Sequence, residues 1–247
     1  MPSLPLFILV GFFAQMIDGV LGMAYGVSAT TFLLALGLPP AVASASTHAA
    51  ECVTTGLSAV SHFGFGNVDK RLVRALLIPG VIGGVLGAWI LVSVPGEKMK
   101  PFTAAYLLIM GIVILSKALR HRGHREVTTH LIPLGLAGGF FDAIGGGGWG
   151  PIVTGTLLAR GNEPRSTIGS VNFAEFFVTI ATSATFFVTI GFTFWKPIAG
   201  LAISGAIAAP MAAWATKHVS PRPMLATVGI VVIGLSIRTI ILALTSS

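Results

Sequence analysis

Two glutamates in apolar surroundings set the chemistry this chain can do. Glu51 closes the run Ser46-Thr47-His48-Ala49-Ala50-Glu51, and Glu175 closes Ser170-Val171-Asn172-Phe173-Ala174-Glu175, 124 residues later. Of eight acidic residues, Asp69, Glu97, Glu126 and Glu163 fall in connecting segments, while Asp18, Glu51, Asp142 and Glu175 lie in apolar ones. A carboxylate deep in a bilayer costs roughly 2.5–3.5 kcal/mol even on the mildest insertion scale, so acids kept there mark an ion or proton route. Ser44, Thr47, His48, Glu51, Thr55, Ser58 and His62 recur in steps of three and four, which places them on one helical face. Asn172, Glu175, Thr179 and Thr182 repeat that face in the second stretch. A polar row facing lipid is unfavourable, so both rows must face the interior of a bundle. For the serines and threonines the competing role is interhelical hydrogen bonding. Glu51 and Glu175 are the candidate proton carriers.

The composition names the solvent. The chain has 247 residues, 54% hydrophobic and 9% charged, with a mean hydropathy of +0.90. A soluble domain carries about 25% charged residues, so these residues cannot make a water-facing surface. An all-α, polytopic protein of the cell inner (plasma) membrane is expected. Its 31 glycines suit membrane helices, which associate by close backbone approach at small residues. The net charge of +7 reads as basic loops that orient the chain, not as a nucleic-acid surface. Cys52 is the single cysteine, which excludes an internal disulfide, and its ordinary role is a small buried filler. No basic stretch precedes the first apolar segment, so no cleaved signal peptide is expected. No cofactor is expected either.

The chain is duplicated. Residues 18–51 align without a gap on 142–175, with identities that include Asp18/Asp142, Gly22/Gly146, Gly26/Gly150, Thr30/Thr154, Pro40/Pro164, Ser46/Ser170 and Glu51/Glu175. After a one-residue shift the likeness continues through Gly66/Gly191, Gly80/Gly205 and Trp89/Trp214. Each half therefore reads alike: 1–119 is one membrane repeat, 120–130 a basic cytoplasmic linker, and 131–247 the second repeat. A glycine-broken stretch (6–36 and 131–158) comes first. Spanning helices follow over 40–63, 72–95 and 101–119, then 165–190, 197–216 and 223–244, each near the roughly 20 residues a bilayer requires.

The broken stretches must position the acids. Their centres read Asp18-Gly19-Val20-Leu21-Gly22-Met23-Ala24-Tyr25-Gly26 and Asp142-Ala143-Ile144-Gly145-Gly146-Gly147-Gly148-Trp149-Gly150-Pro151. Gly costs about 1 and Pro about 3 kcal/mol inside a helix, and broken backbone at membrane depth needs protein or water around it. With limbs of about 12 residues, roughly 18 Å as helix, each stretch is expected to be a re-entrant hairpin. If so, three crossings per half make the halves opposite in orientation. Eleven of the fifteen Lys and Arg residues then share one side: Lys70, Arg71, Arg74, Lys117, Arg120, Arg122, Arg125, Arg160, Arg165, Lys217 and Arg222. Lys98, Lys100 and Lys196 lie opposite, with Arg238 undecided. A single crossing by each stretch would split the charges nine to six, so the positive-inside rule favours inverted repeats with both termini outside. Inverted repeats around broken helices are how many secondary transporters are built.

At each hairpin tip the second limb begins near Gly26 or Gly150. A helix N-terminus attracts anions without a basic side chain, and glycine lets a ligand approach the backbone. A neutral or anionic oxyacid therefore fits best, although the four acids leave a cation open by charge alone. The expected substrate site comprises Asp18, Gly22, Tyr25, Gly26, Thr47, His48, Asp142, Gly146, Gly147, Gly148, Trp149, Gly150, Ser170 and Asn172. Asp18 and Asp142 have hydrogen bonding at the tip as an equal alternative, and for Tyr25 and Trp149 packing is the better reading.

On these residues the chain resembles the sulfite exporter TauE/SafE family, the transmembrane anion permeases. The resemblance is carried by Gly11 to Gly26 with Asp18-Gly19 and Gly22, by Pro40-Ala41-Val42-Ala43, by Gly145 to Pro151, by Pro164-Arg165 and by Gly169 to Phe176. It implies passage of sulfite, a sulfonate or a related organosulfur anion, coupled to protons. The expected partners are that anion, protons and the lipid bilayer, with room for a homo-oligomer. Two other classes stay open. A cation or metal permease would use Asp18, Glu51, Asp142, Glu175 and His48 as ligands. An intramembrane hydrolase would need Ser170 or Ser46 with His48, but Gly169-Ser170-Val171-Asn172 lacks the order of a nucleophile elbow.

Overall fold

The computed structural model describes residues 3–21, 23–119, 130–192, 194–215 and 221–245. Ten α-helices and no strand are found among them. The first half contains α1 (Leu4–Leu21), α2 (Tyr25–Ala35), α3 (Pro40–Gly64), α4 (Lys70–Ser93) and α5 (Gly96–Leu119). The second contains α6 (Leu131–Gly145), a π-helical turn (Gly150–Thr154) continuing into α7 (Gly155–Ala159), then α8 (Pro164–Ile190), α9 (Trp195–Ala215) and α10 (Pro221–Thr245). The order of elements thus repeats. The linker expected at 120–130 lies almost wholly outside the described residues.

Both glycine-broken stretches are broken in the structure. The first breaks between Leu21 and Tyr25, with Ala24 in the left-handed region at φ 86°. The second breaks after Gly145, where Gly146 and Gly147 have φ values of 65° and 153°, a conformation that disfavours any residue with a Cβ. The limbs are less even than expected. α1 has 18 residues, about 27 Å long, because a helix absorbs a lone Gly19. Beyond the second break, the π-turn accommodates Pro151 at a helix start, where its missing N–H costs least.

α5 also begins earlier than expected, at Gly96 and not near Pro101. Pro101 removes one bond to the carbonyl of Glu97, a residue exposed at the helix start where solvent can replace that bond. Lys70–Ser93, Gly96–Leu119, Pro164–Ile190 and Arg222–Thr245 are long and apolar enough to cross a membrane. α3 has 25 residues but is not among these four; its Ser, Thr, His and Glu row lowers its hydropathy. Outward-facing Leu9, Phe13, Trp89, Phe102, Ile230 and Ile241 form a surface suited to lipid.

The halves interlock by exchange. α1 packs on α9, and its repeat mate α6 packs on α4. Both contacts are tight: a methyl on Gly11 would lie 2.7 Å from the Leu201 Cα, and one on Gly135 would lie 2.9 Å from the Leu76 carbonyl. At the centre, α3 pairs with its own mate α8. His48 meets Phe186, Cys52 meets Ser183 and Ser58 meets Asn172, so the numbers rise on one helix as they fall on the other. The two helices run antiparallel.

Candidate transport site

The two tips touch backbone to backbone. A methyl on Gly26 would sit 2.6 Å from the Gly147 Cα and 2.9 Å from the Gly146 carbonyl. Thr30 of α2 ties them further, donating to the Gly146 carbonyl at 2.5 Å and contacting the Thr47 hydroxyl at 3.0 Å. Beside this contact lies a cavity of about 490 Å³, large enough for a small oxyanion with water.

All four apolar-segment acids line that one cavity: Asp18, Glu51, Asp142 and Glu175. Asp18 accepts the Tyr25 N–H at 3.3 Å, and Asp142 accepts the Trp149 N–H at 2.9 Å. Each aspartate thus caps the limb that follows it seven residues on, using one of the backbone donors the sequence offers to an anion. Glu51 differs. Its Oε2 is buried without a hydrogen-bond partner, and its Oε1 would lie 2.7 Å from a methyl on Gly26. Among the described residues no lysine or arginine lines the cavity, and no three His, Cys, Asp or Glu side chains come together as a metal site.

His48 and Asp142 form a buried pair, with Nε2 and Oδ2 3.1 Å apart and both residues at most 2% exposed. Nδ1 lies 2.9 Å from the Ser44 carbonyl, which can only accept, so Nδ1 carries hydrogen. Nε2 is thereby left facing the Asp142 carboxyl.

Residues 7–239 match the family described as sulfite exporter TauE/SafE. The chain belongs to that family. A curated relative from Bacillus subtilis (strain 168), described as "Probable membrane transporter protein YtnM", is 44% identical over 251 residues, covering 98% of this chain and 84% of that protein. No solved structure matches the chain. This TauE/SafE protein is a multi-pass membrane transporter.

The TauE/SafE chain sorts its expected site residues into two groups. Asp18, Tyr25, Gly26, Glu51, Asp142, Gly147, Gly148, Gly150, Asn172 and Glu175 line the cavity. Thr47, His48, Gly146, Trp149 and Ser170 stand behind that lining. Trp149 is fully buried and donates its indole N–H to the Val171 carbonyl at 3.2 Å; Ser170 accepts the Asp69 N–H at 2.7 Å. Gly22 lies outside the described residues. The sequence reading missed Thr54 and Ser61, which line the cavity, and three further side chains. Gln15 lines the cavity with its Oε1 buried and unpartnered, and its place three residues before Asp18 was the available signal. Tyr106 donates to the Gly147 carbonyl at 3.1 Å and Lys117 to the Pro151 carbonyl at 2.8 Å. In an apolar helix neither carried a signal: Tyr106 reads as packing and Lys117 as a basic end.

Proposed function

We propose that the chain moves a small sulfur oxyanion, sulfite or a sulfonate, together with protons by alternating access. The carrying observation is that Glu51 and Glu175, mates in the duplication, line one cavity at the contact between the tips. Ionised, the two carboxylates repel an anion; protonated, each becomes a hydrogen-bond donor to it. Anion binding and proton binding are then the same event, which is what coupling requires. The first turn of α2 supports the reading: Gly26 and Val27 line the cavity at a helix end that favours negative charge. The antiparallel packing of α3 on α8 supports inverted repeats over 1–119 and 131–247, joined by the linker at 120–130, with the glycine-broken stretches as re-entrant hairpins. The family's description supports the substrate class.

In proteoliposomes, an inward proton gradient should accelerate uptake of sulfite or a small sulfonate. Glu51→Gln and Glu175→Gln should each remove the gradient's effect and reduce flux roughly tenfold or more, the consequence of losing about 1.4 kcal/mol or more of coupling. Flux that ignores both the gradient and the substitutions would end the proton role. The acid-rich lining without Lys or Arg favours a second reading, a cation permease. Saturable uptake of a divalent ion, with no anion flux, would establish it.

A further inference from the structure

The cavity is one-sided. On α3 its lining residues run from Glu51 through Thr55 and Ser58 to His62, with none before Glu51. On α8 they are Ile168, Asn172 and Glu175, with none after Glu175. Because these helices are antiparallel, both sets lead toward the same end of the molecule, the end carrying His62 and Pro164. Toward the opposite end the path is shut by polar contacts. Ser44 donates to the Ala143 carbonyl at 2.6 Å, and His48 meets Asp142 at 3.1 Å. His48 also packs against Phe186, their ring centroids 6.0 Å apart.

The duplication pairs each closing residue with one at the open end. Offset by 124, Ser44 corresponds to Ile168, His48 to Asn172 and Asp142 to Asp18. Ile168, Asn172 and Asp18 all line the cavity, and Asn172 donates to Ser58 at 3.0 Å. Each pair spans both halves: His48 meets Asp142, whereas its mate Asn172 bonds Ser58.

We propose that His48–Asp142, backed by Ser44–Ala143, is the closed gate of the transport path, and that Asn172 with Asp18 closes the other gate in the alternate state. The inference rests on the alternating-access reading and adds the gate residues to it. Ser44 and His48 are positioning residues that hold a hairpin against its helix from behind the lining, while Asp142, Asp18 and Asn172 also line the cavity. The gates are chemically unequal: one joins an imidazole to a carboxyl, the other an amide to a carboxyl.

The test uses the full chain with Cys52→Ala as parent. Ser44→Cys paired with Ala143→Cys should cross-link on oxidation, lower sulfite flux at least tenfold in proteoliposomes, and regain flux on reduction. Undiminished flux through fully cross-linked protein would overturn the gate. Should the parent carry no sulfite, the transport reading falls, and a second measurement still decides the gate. His48→Asn, which installs the mate's residue, should raise labelling of Ser44→Cys by a membrane-impermeant maleimide about tenfold, the effect of losing one charge-assisted hydrogen bond. Asn172→His should shift the balance the other way and slow labelling of Ser61→Cys at the cavity mouth. Unchanged labelling at both positions would overturn the proposal.

Discussion

At the contact between the tips, space is short enough to weigh single methyl groups. Gly26→Ala puts a Cβ 2.6 Å from the Gly147 Cα, and relieving such overpacking typically costs about 1–3 kcal/mol. The variant should melt earlier in detergent than the parent, with transport reduced. Gly64→Ala is the matched control, because nothing lies within 4 Å of its added Cβ; its effect should stay within about 1 kcal/mol. Lys117 is a second test at this scale. Its ammonium bonds the Pro151 carbonyl at 2.8 Å, within the π-turn. Lys117→Met should cost about 1.5–3 kcal/mol, the range for a hydrogen bond to a charged group, read as a lower melting temperature. Lys117→Arg should recover part of the loss.

α8 carries the Glu175 row, and its first turn is set by Glu163. The Glu163 carboxylate accepts the Ser166 N–H at 2.6 Å and the Arg165 N–H at 2.9 Å. Those backbone donors hold its carboxyl below the usual glutamate value of 4.5. A depressed folded value means the cap's contribution is present above the unfolded value and lost as pH falls through the folded one. Acidification from pH 5 toward pH 3 should therefore lower the melting temperature of the parent more than that of Glu163→Gln, which has no charge to lose. Equal acid sensitivity would show that the cap contributes nothing. Helix position was readable in advance here: Pro164 at the first turn and a preceding acid are a start signal. The start of α5 was not, because Pro101 looks like a first-turn residue and only the packing of Met99, 9% exposed, shows that the helix is already under way.

The molecule as a whole is two interlocked halves, and its orientation follows from the basic loops. Lys70 at the start of α4 and Arg165 at the start of α8 should face the cytoplasm, while Lys98 and Lys196 face outward. In intact cells, a membrane-impermeant maleimide should label Lys98→Cys and Lys196→Cys but not Lys70→Cys or Arg165→Cys. Labelling of Lys98→Cys together with Arg165→Cys, and of neither other position, would fit parallel halves and remove the inverted reading.

The sequence alone determined the solvent, the duplication and the four acids, because the cost of charge in hydrocarbon leaves composition and spacing few other meanings. It also located both helix breaks, the second through its glycine run before Pro151 and the first through its alignment on the second. Only the tertiary structure decided which members of the polar rows meet open space and which are locked to carbonyls. Ser44, Thr47 and His48 belong to the same stripe as Glu51, and periodicity cannot tell a cavity wall from a closed contact. That difference depends on where the second hairpin rests against α3, and the hairpin arrives from more than ninety residues away.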